Sequence, residues 1–119
     1  MDNELRIDLI ENDGVVVVSP FGRIVRENEG LLRDHLERLV LDGASRIALD
    51  LQSVDYMDSA GLGCCSFVHK LLTERAKGHV AAFGLSRDIE KVWCLVRLDL
   101  VIPVFPDAAK AVQWLRRPL

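Results

Sequence analysis

The chain has few cysteines, no long apolar run and no excess of either charge, and each shortage excludes a class of function. Three cysteines, Cys64, Cys65 and Cys94, cannot all pair internally. Cys64 and Cys65 are neighbours on a predicted helix and point about 100° apart, so a bridge between them would be strained. All three are expected to be buried small apolar side chains. His35, His69 and His79 show no ligand spacing with them, so no metal site is expected. His35 lies among Leu31, Leu32 and Leu39 and reads as a packing residue. No apolar stretch approaches the roughly 20 residues of a membrane span. The opening Met1-Asp2-Asn3-Glu4-Leu5-Arg6 is acidic and alternating, unlike a signal peptide, so the expected location is the cytoplasm. The formal charge of -3 is small and dispersed, and Arg116-Arg117 is too short for a nucleic-acid arm. Repeats, linkers and low-complexity segments are also missing.

Machinery for self-contained catalysis is equally thin. Gly61-Leu62-Gly63-Cys64-Cys65-Ser66 lacks the lysine of a phosphate cradle. Ser59 has no histidine close in sequence to act as a base. Asp50, Asp55 and Asp58 cluster near one strand end. The earlier acidic pair and late lysine of a phosphoacceptor receiver domain do not accompany them. The expectation is a protein without enzyme activity or cofactor.

What is present is an ordinary globular chain. It has 119 residues, 50% of them hydrophobic and 28% charged, which suits one domain, 1–119, with a core that needs no staples. Leu5, Ile7 and Leu9 alternate in a strand over 4–10. Asn12-Asp13-Gly14 then signals a turn, and Val15 to Ser19 form a second strand ended by Pro20-Phe21-Gly22. A helix is predicted over 28–41, with Gly43 as its stop. There follow strand 46–51, helix 59–77, strand 79–83, helix 88–97, strand 101–105 and helix 107–115. Pro103 demotes the last strand to an edge or an irregular extension. Trp93 and Trp114 are expected in the core. The order predicts an α/β layered domain: an N-terminal β-hairpin, a mixed sheet parallel beyond it, and helices mainly on one face.

The segment Asp58-Ser59-Ala60-Gly61-Leu62-Gly63 stands where a strand passes into an amphipathic helix. Asp58 is placed as N-cap, with Ser59 as the first helical residue beside the electropositive helix end. Gly61 and Gly63 would keep side chains away from that end and let a partner's backbone or phosphates approach. On local chemistry alone, ordinary capping explains the segment better than a phosphate site does.

The longer string Val54-Asp55-Tyr56-Met57-Asp58-Ser59-Ala60-Gly61-Leu62-Gly63 resembles the signature of the STAS domain. Sulfate transporters and bacterial anti-sigma factor antagonists share that domain, with the usual pattern Asp-Ser-Ser-Gly-Leu-Gly or Asp-Ser-Ala-Gly-Leu-Gly. Gly78 to Phe83, Ile89 to Leu98 and Ala108 to Leu115 are similar to the family's later elements. The resemblance implies an anti-sigma factor antagonist that switches partners. Unmodified, it binds an anti-sigma factor with serine kinase activity; phosphorylation at Ser59 ends binding and a serine phosphatase restores it. Asp58, Ser59, Ala60, Gly61, Leu62 and Gly63 would form the partner surface, with a weak homodimer as an option. One departure stands out. Antagonists often carry Gly-Glu-Leu-Asp where this chain has Gly22-Arg23-Ile24-Val25. Arg23 and Arg26 are thus expected beside the acceptor, where a guanidinium could pair with phosphoserine. The departure leaves open an output other than a sigma factor. A non-switching scaffold or transport-associated subunit, with Ser59 only a capping residue, is the alternative.

Overall fold

The chain opens with a hairpin in the computed structural model, which describes residues 3–118. Asp13 and Gly14, at φ 52° and 82°, make its two-residue turn between β1 (Arg6–Asn12) and β2 (Val15–Ile24). Then come α1 (Glu29–Leu41), β3 (Arg46–Asp50), β4 (Val54–Met57), α2 (Ser59–Arg75) and β5 (His79–Phe83). The chain continues through α3 (Arg87–Leu95), a 3-10 turn over Leu98–Leu100, β6 (Val104–Phe105) and α4 (Ala108–Leu115). The sheet order is β1-β2-β3-β5-β6, with β4 also on β2, and every pairing after the hairpin is parallel.

Period-two alternation assigns the strands' side chains to two cores. Val18, Ile47, Leu49, Val80 and Ala82 meet Leu32, Leu36 and Val40 of α1 and Cys65, Val68 and Leu72 of α2. Ile89 and Trp93 bring α3 into the same core. The intervening residues Val15, Ala48, Ala81 and Phe83 face the other way, under Ala111, Val112 and Leu115 of α4. Three helices cover one face and a single short one the other, an α/β layered domain as expected. Each fully buried aliphatic side chain contributes roughly 1.5–3 kcal/mol, so the larger core carries most of the stability.

Several local expectations are corrected. β2 does not end at Pro20-Phe21-Gly22 but runs to Ile24. Its first half pairs with β3 through Val16–Val18, and its second half pairs with β4 through Gly22–Ile24, across an irregularity at Gly22/Arg23. Pro20 is tolerated because of hairpin parity. The closing pair Asn12–Val15 is hydrogen bonded and pairs alternate, so Pro20, opposite Ile7, turns its nitrogen away from β1. It then points where the β3 ladder has stopped and the β4 ladder has not begun. The predicted strand 101–105 shrinks to the sheet-edge pair Val104–Phe105, after Pro103. The predicted helix 88–97 stops at Leu95, with Arg97 left-handed at φ 63°. Cys64 and Cys65 are buried as expected, but Cys94 is exposed, because α3 turns Trp93 inward and its neighbour outward. Burial pushes the Cys64 thiol up to about 12. Trp93 is fully buried, whereas Trp114 is half-buried, edge-on to His79 and under the Arg117 guanidinium.

Candidate functional site

β4 and the end of β2 together place the Asp-Ser segment. Val54 and Met57 of β4 point into the core, while Asp55 and Tyr56 face outward. Asp58 then adopts extended backbone (φ -91°, ψ -173°) and its Oδ1 accepts from the Gly61 amide at 3.0 Å, the N-cap bond expected of it. Its second oxygen accepts from the Arg26 amide, also at 3.0 Å, and its own N–H donates to the Ile24 carbonyl. One aspartate therefore ties the start of α2 to the segment that follows β2. Burial acts to raise its pKa, but the amides of Gly61, Arg26 and Ala60, together with the Arg26 charge, outweigh burial and hold the carboxyl below its usual 3.8.

The sign of the resulting pH dependence follows. The folded carboxyl holds its proton less tightly than the unfolded one, so its stabilisation is complete above pH 3.8 and is lost as pH falls through the lowered value. Asp58→Ala is expected to cost about 1–2 kcal/mol at neutral pH, as loss of a cap does. Urea midpoints of wild type and variant should converge as pH drops below 3.8. A gap that stays constant with pH would contradict this role.

Ser59, the first residue of α2, is exposed and is not itself the cap. The two glycines differ. Gly63 is exposed with open space around it, as the sequence suggested. Gly61 is buried, and a Cβ there would lie 2.5 Å from Met57 Cγ and 2.7 Å from the Ile24 carbonyl oxygen. Its role is thus close approach of α2 to β2 and β4, not access for a partner. Gly61→Ala should lose about 1–2 kcal/mol in urea titration: overpacking of about 1–3 kcal/mol is only partly offset by alanine's better helix propensity. A stabilised variant would show that α2 can shift outward freely.

The structure separates the two arginines. Arg26 is exposed, with its backbone held by Asp58. Arg23 is half-buried, its guanidinium 4.8 Å from the centroid of the Tyr56 ring, which fixes it by cation–π attraction. Val25, standing where antagonists often carry an acid, is buried.

Two contributors were missed by sequence reasoning. Asn28 precedes α1 like a cap but makes no cap bond; instead its side chain accepts from the Val25 amide and donates to the Arg23 and Asn3 carbonyls. It braces the loop beside Asp58, and nothing in its sequence position distinguishes it from an ordinary cap. Tyr56 lies in a strand too short to show periodicity. It lines a cleft with Leu62, Ile89 and Val92, to which Asp55 and Asp88 add carboxylates. Exposed Leu95, Val96 and Leu100 extend the apolar surface along α3.

The three aspartates near the strand end do not converge. Asp50 accepts from Ser19 Oγ and from the Gln52 amide and side chain, while Asp58 serves the cap. Among the described residues no group of three or more His, Cys, Asp or Glu is placed to hold a metal ion, and no helix is long and apolar enough to cross a membrane.

Comparison with known proteins bears on the fold and the family. The anti-sigma F factor antagonist of Paenibacillus polymyxa is 21% identical over 112 residues, covering 93% of this chain and 95% of that protein. The crystal structure of an anti-sigma factor antagonist from Mycobacterium paratuberculosis superposes with a TM-score of 0.87 at 23% identity, covering 96% of each chain. The Bacillus cell fate determinant SpoIIAA in its phosphorylated form matches with a TM-score of 0.72 at 20% identity, over 93% of this chain and all of that one, 100%. The STAS domain family model matches residues 6–111, and with the hairpin, the parallel sheet and the Asp58-Ser59 helix start all in place, the chain belongs to the STAS domain family.

Proposed function

We propose that this protein is an anti-sigma factor antagonist that works as a phosphorylation-controlled partner switch, with Ser59 as acceptor. The observation that carries the reading is the division of labour at the start of α2. Asp58 satisfies the helix amides, which leaves the neighbouring hydroxyl exposed and free of a capping role. A phosphate there adds about -1.5 to -2 charges. At a helix N-terminus that charge is favourable by roughly 0.3–1 kcal/mol, so the fold accommodates it. The Asp58 carboxylate next door opposes part of this gain.

The interface does not accommodate it equally. The unmodified protein docks its anti-sigma factor on Ser59, Ala60, Leu62, Gly63 and the Tyr56–Leu62–Val92 cleft. The kinase supplies nucleotide, magnesium and base, and a serine phosphatase resets the switch. Arg26 is the cation best placed to pair with the phosphate, since Arg23 is occupied by Tyr56. The supporting relatives are named anti-sigma factor antagonists, and SpoIIAA, similar in fold, is known in a phosphorylated form.

The test is phosphate mapping. Incubation with the cognate anti-sigma factor kinase and magnesium-ATP should place one phosphate on Ser59, and Ser59→Ala should abolish it. Phosphate found mainly on Ser53, Ser66 or Thr73 would overturn the assignment.

A further inference from the structure

β1 leaves one edge of the sheet unpaired. Hairpin parity fixes which groups line it. Arg6, Asp8, Ile10 and Asn12 face β2 with their backbone bonds, so Ile7, Leu9 and Glu11 turn their N–H and C=O groups outward. Protein edges are usually blunted by a bulge, a proline or lysines. β1 has no bulge, proline or lysine, since its register with β2 is regular over its whole length, and the charges it does carry, Arg6, Asp8 and Glu11, are of both signs. Leu9 is 44% exposed and Ile10 62%. The adjoining flank of α1 has Leu31 45% exposed, and its His35, Arg38 and Leu39 line a cleft with Leu9.

We infer that this edge pairs with β1 of a second copy, antiparallel about a two-fold axis at Ile7. Charge selects the occupant and the register. With Ile7 opposite Ile7, Arg6 meets Asp8 twice on one face, with Ile10 opposite Glu4 beyond them, and on the α1 face Leu9 lies opposite the buried Leu5 that precedes β1. Shifting the axis to Asp8 sets two aspartates against each other. Shifting it to Leu9 loses both Arg6–Asp8 pairs, since Arg6 then faces Asn12 and Asp8 faces Ile10. The outward amides of Ile7 and Leu9 then find partners. Arg6 and Asp8 are exposed enough to re-pair, since their contact within the chain is 3.7 Å long and both side chains are more than half exposed, although the Arg6 guanidinium also stacks 4.0 Å from the centroid of the Phe21 ring. The two sheets become one continuous sheet, and the α1 flanks approach each other across the axis.

Sedimentation of the wild type from micromolar to millimolar concentration should show reversible dimers. Arg6→Asp and Asp8→Arg should each weaken association about tenfold, because each reverses two cross-strand pairs. The double variant should recover it. In a Cys94→Ser background, Ile7→Cys should oxidise to a disulfide dimer, because directly opposed residues lie about 5.5 Å apart. Ile10→Cys, away from the axis, should not. A chain that stays monomeric throughout, a dimer indifferent to both charge reversals, or equal cross-linking at 7 and 10 would overturn the inference.

Discussion

Trp93→Ala should lose about 3–5 kcal/mol, the cost of emptying a large buried site. Trp93 is the largest of the fully buried side chains, and its indole N–H donates to the Ile102 carbonyl at 3.2 Å. That bond spans the left-handed Arg97 and the 3-10 turn, so it closes α3 back onto the segment leading to β6. Removal leaves a cavity in the larger core and an acceptor without its donor. Against a typical total of about 5–15 kcal/mol, the loss is a large share of the fold. Guanidinium titration is the measurement. Trp93→Phe separates the causes, since it keeps much of the apolar volume but still strands the Ile102 carbonyl, at about 1–3 kcal/mol. A loss below 1 kcal/mol for the alanine variant would mean that α3 docks without this anchor.

The second large effect is on binding and should leave stability untouched. Ser59→Asp should keep its melting temperature within a few degrees of wild type, because the substitution is exposed and sits at the favourable end of a helix. Its affinity for the proposed anti-sigma factor partner should nevertheless fall about a hundredfold, or ~2.7 kcal/mol. The contrast follows from solvent: in the free protein the carboxylate is hydrated, while in the interface it is stripped of water without a matching donor. Calorimetry of both proteins with the same partner reads the ratio. Ser53→Asp, exposed in the turn between β3 and β4, should bind like wild type. Equal weakening by both variants would indicate general charge repulsion and remove the special position of Ser59.

The parts of the fold that were legible in the sequence are those where periodicity and capping act over several turns. The α2 start could be read from Asp58 and the apolar spacing of Cys65, Val68 and Leu72, and β3 and β5 from their apolar runs. β4 escaped because Asp55 and Tyr56 are both exposed and only Val54 and Met57 turn inward, a pattern without alternation. The reach of β2 past Pro20 escaped because proline's penalty depends on which side its nitrogen faces, and only the pairing partners reveal that. The Asp58 cap in the Asp-Ser segment was legible as chemistry. Its bracing by Asn28 and the burial of Gly61 were not, since both depend on residues brought together by tertiary contact.

The exchange of partners along β2 has a consequence for how the molecule breathes. Val16 to Val18 are laddered to the central strand β3, whereas Gly22 to Ile24 are laddered to β4, and Pro20 sits at the seam with no amide hydrogen to contribute. Amide protons on the two sides of that seam should therefore exchange as different cooperative units. The outer unit contains β4, the far end of β2 and the first turn of α2, and it opens to deuterium without asking β3 and β5 to separate. The face proposed to meet other proteins would thereby be insulated from the centre of the sheet, and a partner that grips or releases it would perturb a local equilibrium and leave the global one alone.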